Sequence, residues 1–256
     1  MRAARAWRIT GTLAVAFVMI MGASQTFAMV ANQKKSTEKQ YDVTIHKLRL
    51  ATGSASVRIT AGRENHVLVR KNLTWTFREP DVSTTFQGDE MTVGVACRQP
   101  LPFLSCGAEI ELEVPRGTEV SGAVDSGSVD VADLTGAVRL DATSGALYLR
   151  RLSGEIHTRT TSGMVQGTNL TSARVDASAT SGSVELDFAK APHAVDVSTG
   201  SGAVTVTVPR GSQYAFSGQA GSGSRSIDAA MANASSPDSI RAEIGSGSLR
   251  IGYRQE

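Results

Sequence analysis

After residue 40 the chain alternates apolar and polar residues in short runs. Val43 and Ile45, Val57 and Ile59, Val67 and Val69 continuing to Leu73, Trp75 and Phe77, then Met91, Val93 and Val95, and Ile110, Leu112 and Val114 each stand two positions apart, with Gly, Pro, Asn and Asp between the runs. Period-two alternation bounded by such residues marks half-buried strands. Residues 41–118 therefore read as an irregular N-terminal β region that caps one end of a more regular C-terminal part.

From residue 119 to 256 the pattern becomes regular. A Ser-Gly pair returns seven times, at Ser126, Ser144, Ser162, Ser181, Ser201, Ser222 and Ser246, each followed by Gly127, Gly145, Gly163, Gly182, Gly202, Gly223 or Gly247. The spacings are 18, 18, 19, 20, 21 and 24 residues, and a recurrence near twenty signals stacked structural units. Six residues before each Ser stands an apolar residue: Val120, Val138, Ile156, Val175, Val195, Phe216 and Ile240. Three after it stand Val129, Leu147, Val165, Val184, Val204, then Arg225, then Leu249.

Strand side chains alternate faces, so each repeat reads as two short strands joined at a Ser-Gly corner. Glycine is expected there as a structural turn residue with positive φ, which costs any residue that carries a Cβ. A single pair of strands cannot bury its apolar side alone, but stacked turns share a continuous inner column. The reading is an all-β solenoid with two strands per turn; a β-sandwich of similar hairpins is the alternative. Arg225 interrupts the inward column, and because a buried unpaired guanidinium costs several kcal/mol a local shift of its strand is expected, with Arg225 reaching solvent or an acid such as Asp228 as the alternative.

The nine-residue step across each corner is constant, whereas the step to the next repeat grows through 9, 9, 10, 11, 12 and 15 residues. The growth falls on the edge opposite the corners, in residues 188–194, 209–214 and 228–238. Variable loops on one edge of a solenoid are frequent binding sites, so that edge is the expected place for a partner.

Composition adds a compartment. Residues 1–28 place Arg2, Arg5 and Arg8 before an uncharged, mainly apolar run, with Thr26-Phe27-Ala28 as a cleavage site. This is the form of a signal peptide; an uncleaved N-terminal anchor is the alternative. Either places the rest of the chain outside the cytoplasm, in the periplasm, cell envelope or extracellular space. Residues 32–40 are polar without periodicity, and 29–40 read as a flexible spacer. Three of the 26 Lys and Arg lie in the first 28 residues with no acid, leaving 23 against 24 Asp and Glu, so the exported part gives no electrostatic case for nucleic acid.

Cys97 and Cys106 are the only cysteines. In an oxidising compartment they are expected to pair across a Pro-containing loop, at about 2.5–3 kcal/mol in the chain-entropy picture; free thiols are the alternative. Two cysteines do not make a metal site.

The chemistry of catalysis is not announced. No G-x-S-x-G, H-E-x-x-H or phosphate-binding glycine loop occurs, and His46, His66, His157 and His193 are scattered. The outward column after the corners is Asp130, Tyr148, Gln166, Glu185, Thr205, Ser226 and Arg250, with neither adjacent carboxylates nor a single-sign patch. No catalytic residue, metal site or cofactor is expected.

With its Ser-Gly corners, the Val-Pro-Arg-Gly entry at 114–117 and its export signal, the chain resembles the bacterial putative-adhesin family, β-strand-repeat proteins of unknown function related to autotransporter adhesin head domains. The resemblance covers residues 41–253. It implies a right-handed β-solenoid with two strands per turn and a role in cell-surface adhesion, and it transfers no catalytic residues. The expected function is an exported, non-enzymatic, adhesin-like protein that binds a surface protein or glycan. A structural or regulatory cell-envelope component is the alternative, and a carbohydrate-active enzyme a weaker one.

Overall fold

The structure is a computed structural model describing residues 32–100 and 105–255. The N-terminal apolar segment with its cleavage site, and Pro102 in the Cys97–Cys106 loop, lie outside the described residues. Among the described residues, apart from one 3-10 turn at Ala229–Met231, the regular structure is all strand, in a long sheet not closed into a barrel.

Two ladders build it. In the first, β8 (Glu119–Val124), β10 (Val138–Ala142) and β12 (Ile156–Thr160) pair in parallel, followed by the leading halves of β14 (Arg174–Phe188), β15 (Ala194–Val208) and β18 (Ser239–Tyr253). In the second, β9 (Ser128–Ala132), β11 (Ala146–Arg150) and β13 (Met164–Leu170) continue into the trailing halves of the same three strands. Val120, Val138, Ile156, Val175, Val195 and Ile240 are consecutive rungs of one buried row, and Val129, Leu147, Val165, Val184, Val204 and Leu249 of another. The alternation read from the sequence thus becomes a column of apolar side chains shared by every turn.

The Ser-Gly corners need glycine for a different reason from the one the sequence suggested. Among the seven, only Gly202 (φ +147°) and Gly247 (φ +130°) have positive φ. What Gly182 and Gly202 share is crowding: a Cβ on Gly182 would overlap the carbonyl oxygen of Gly163, and one on Gly202 that of Gly182. Stacked corners bring backbone onto backbone, so at five of the seven the missing Cβ is a packing requirement alone, and at Gly202 and Gly247 positive φ adds a conformational one. Left-handed backbone recurs on the opposite edge, at Asp133 (φ +65°), Arg151 (φ +51°) and Asn169 (φ +53°).

Residues 41–118 are not a separate irregular region. β2 (Lys47–Ala51) and β3 (Ser56–Ala61) form a turn stacked directly on β8 and β9. They contain an eighth corner, Ser54-Ala55, with Leu48 six before the Ser and Val57 three after it. A Cβ fits at Ala55 because the adjoining turn, β6 (Glu90–Ala96) and β7 (Cys106–Val114), has its corner opened by the loop that the Cys97–Cys106 disulfide closes at its base. Beyond that turn, β5 (Asp81–Gln87) pairs antiparallel with β6, and β4 (Val67–Trp75) with β7. The outermost strand there is β1 (Gln33–Tyr41), antiparallel to β4 over its whole length. The expected spacer at 29–40 is therefore corrected: most of it is an edge strand, because paired backbone needs no apolar pattern when both faces of the strand meet solvent.

At both ends the turns stack out of sequence order. Turn 47–61 lies between turns 90–114 and 119–132. Likewise β18 inserts between β15 and the turn formed by β16 (Ala215–Ser217) and β17 (Ala220–Ile227), which among the described residues pairs only with β18. Arg225 lies on this outermost turn. It keeps register opposite Leu249 without the expected shift, and it is exposed, because no further turn among the described residues covers it.

Candidate functional site

The edge with lengthening connections does not form an open loop cluster. Leu134, Leu152, Leu170, Phe188 and Val208 are buried along it, and Tyr214 and Met231 are fully covered where the connections are longest. Main-chain N–H groups of Ser153, Thr171 and Ala189 donate to the carbonyls of Leu134, Leu152 and Leu170, each one turn earlier. The added residues close the side of the core.

The outward column after the corners is likewise structural. Arg150 donates through Nε to Asp130 at 3.0 Å, and Gln166 donates to Glu185 at 3.2 Å. His66 pairs with Asp42 and His193 with Asp238, on distant parts of the molecule. Among the described residues no three His, Cys, Asp or Glu converge as a metal site.

The concave, charged surface lies on the other ladder, on the outward face of the strands that precede the corners. Three adjoining cavities of about 880, 700 and 550 Å³ run along it. Five residues before each Ser, one row reads, in spatial order, Ser121, Arg139, His157, Asp176, Asp196, Arg241 and Ser217. The strands fix this row because the residue next to each buried Val or Ile must point outward. Out-of-order stacking decides its centre: insertion of β18 places Arg241, rather than Ser217, beside Asp196.

Asp176 and Asp196 thus stand on adjacent rungs. His157 Nδ1 lies 2.8 Å from Asp176, and Arg241 donates through Nε to Glu243 at 3.1 Å. Arg174 pairs with Glu155 at 3.2 Å on the rim. Among the described residues Asp196 has no ion pair within salt-bridge distance. Although Asp196 is exposed on the outward face, partial desolvation within the groove raises its carboxyl above its ordinary value, the Arg241 charge opposes this, and Asp176 and Glu243 add to it.

Ionised Asp196 therefore costs stability above its raised pKa, a cost that disappears below the unfolded value near 3.8. Asp196→Asn is expected to raise the melting temperature at pH 7 and leave it unchanged at pH 3. A loss at pH 7 would show that Asp196 instead has a stabilising partner.

Sequence reasoning missed this row although it was legible. The outward positions after each corner suggested no site, and the equivalent positions before each corner hold the Asp-Asp pair.

Residues 154–252 match the Toastrack DUF4097 family. No curated protein matches the chain. Among solved structures, a putative adhesin from Bacteroides fragilis is 13% identical, with 87% of this chain and 98% of that chain covered and a TM-score of 0.43. A putative cell adhesion protein from Clostridium sporogenes is 13% identical over 86% of this chain and 100% of that one, with a TM-score of 0.37. A protein described as a putative lipid binding protein, from Parabacteroides distasonis, is 11% identical over 86% and 97%, with a TM-score of 0.35. The run of turns from Gly154 to Gly252, which carries most of the charged row, is the part of the chain that matches the Toastrack DUF4097 family.

Proposed function

We propose that the protein is an exported, non-enzymatic, adhesin-like β-solenoid, wound right-handed, that binds a surface protein or glycan along the groove over the strands preceding the corners. One observation carries this reading: the groove is continuous over several turns and its central row sets the adjacent Asp176 and Asp196 between Arg139 and His157 on one side and Arg241 on the other. Mixed charge set at fixed rung spacing favours partner selection and orientation over raw affinity. The three cavities are lined without Trp, Tyr or Phe, so a sugar ring finds no stacking platform there. That favours a protein partner over a glycan.

Beads coated with the protein are expected to adhere to cell-envelope preparations, and the combined Arg139→Ala, Asp196→Ala and Arg241→Ala variant to reduce adhesion about tenfold. Undiminished adhesion by a folded variant would exclude the groove. The stacked Asp176 and Asp196 are also the arrangement a carbohydrate-active enzyme would use; polysaccharide turnover abolished by Asp176→Asn would favour that alternative.

A further inference from the structure

The stack ends at β17, on the same outermost turn as Ser217, the last residue of the groove's row. β17 pairs with β18 along one side, and among the described residues nothing pairs with its other side. Residues 221–226 are exposed. An unpaired strand edge is a template for another strand. The inward column continues to this rung and stops there, with Phe216, Arg225 and Ile227 around an opening of about 340 Å³.

Arg225 decides what fits. Among the described residues it has no ion pair, and it occupies the position that every earlier turn of the Ser-Gly run fills with Val or Leu. A second copy joined edge to edge would bring another Arg225 to the same opening. A second copy joined head to tail would present β1, the edge of this same ladder at the opposite end, with Lys34, Lys35 and Lys39 against one Glu38. Both modes oppose like charges, and an inward-pointing charge is a known means of keeping sheet edges from pairing with copies of themselves. The corner adds a steric condition. Each corner glycine packs where a Cβ would overlap the carbonyl of the rung before it, as Gly223 does on Gly247. A strand laid on Gly223 must therefore carry glycine there too.

We propose that the outer edge of β17 is a docking surface for an extended strand of another protein, added in parallel, with Gly opposite Gly223 and an acidic side chain opposite Arg225. The acid neutralises Arg225 over the open end of the core, and the backbone completes the unpaired edge.

The register of β18 supplies a probe, since Gly247 and Leu249 are its residues opposite Gly223 and Arg225. Labelled peptides spanning residues 239–253 are titrated against the full-length protein by fluorescence anisotropy. The Leu249→Glu peptide is expected to bind about tenfold tighter than the Leu249→Lys peptide. The order reverses with Arg225→Glu protein, and adding Gly247→Val to the Leu249→Glu peptide abolishes binding. Equal affinities for the Glu and Lys peptides, or no binding by either, overturns the proposal. So does sedimentation showing wild-type protein paired end to end through β17, because the edge would then belong to a second copy. Loss of adhesion in the groove variants leaves these outcomes unaffected, so the two readings fail separately.

Discussion

Truncating the chain at residue 238 is expected to unfold residues 215–227 as well as removing β18. β16 and β17 are bonded to β18 and not to β15, although they come after β15 in sequence. Removing β18 also deletes the buried side chains of Ile240, Ile244, Leu249 and Ile251. At about 2 kcal/mol for each buried aliphatic side chain, the loss is on the order of 8 kcal/mol, within the range of about 5–15 kcal/mol that holds a whole domain together. Hydrogen exchange should show protection vanishing over 215–227 and falling in β15, while β8 to β12 retain theirs. Continued protection of 215–227 would mean that those residues pair with β15 directly and that the stack is built in sequence order.

The second large effect is at a corner. Gly182→Ala is expected to cost about 2 kcal/mol and Gly182→Val about 3 kcal/mol, because either Cβ overlaps the carbonyl of Gly163 and must push two stacked turns apart. The alanine variant separates the two explanations of the corner. Gly182 does not have positive φ, so if conformation were the only demand, alanine would be tolerated. Gly252 is the control: a Cβ there meets nothing within 4 Å, and Gly252→Ala should be neutral. Equal thermal unfolding of the wild type and Gly182→Ala would refute the stacking explanation.

Much of this architecture was readable in the sequence. The inward columns, the two strands per turn and the identity of the corners follow from period-two alternation and the Ser-Gly recurrence, since burial of one strand face leaves a direct trace in residue type. The cause of the glycine was misread because a glycine required by φ and one required by a neighbouring carbonyl look the same in a sequence. Ser54-Ala55 escaped for a related reason: the widened, disulfide-closed corner beside it relaxes the demand that defines the motif. β1 escaped because an edge strand exposed on both faces needs no apolar pattern. Stacking order was illegible, since parallel rungs of equal length leave no local trace of which turn lies next to which.

Stacking order also bears on function. The charged row was legible residue by residue, yet the placement of Arg241 beside Asp196 depends on β18 lying between β15 and β17. The growing edge attracted a functional reading because its length varies, but its added residues include Phe188, Tyr214 and Met231, which are buried. Length variation there reflects the need to close the core.

The most direct test is a pair of double-cysteine variants on the outward face of the ladder after the corners, away from the groove. Thr205 lies opposite Arg250 on the adjacent rung, whereas Ser226 is one rung further out. Neighbouring rungs lie at about 4.8 Å, within reach of a disulfide, and two rungs are not. After mild oxidation and peptide mapping, Thr205→Cys with Arg250→Cys is expected to form a bridge, and Thr205→Cys with Ser226→Cys to remain unlinked. A bridge in the second variant and none in the first would contradict the out-of-order stack and the groove built on it.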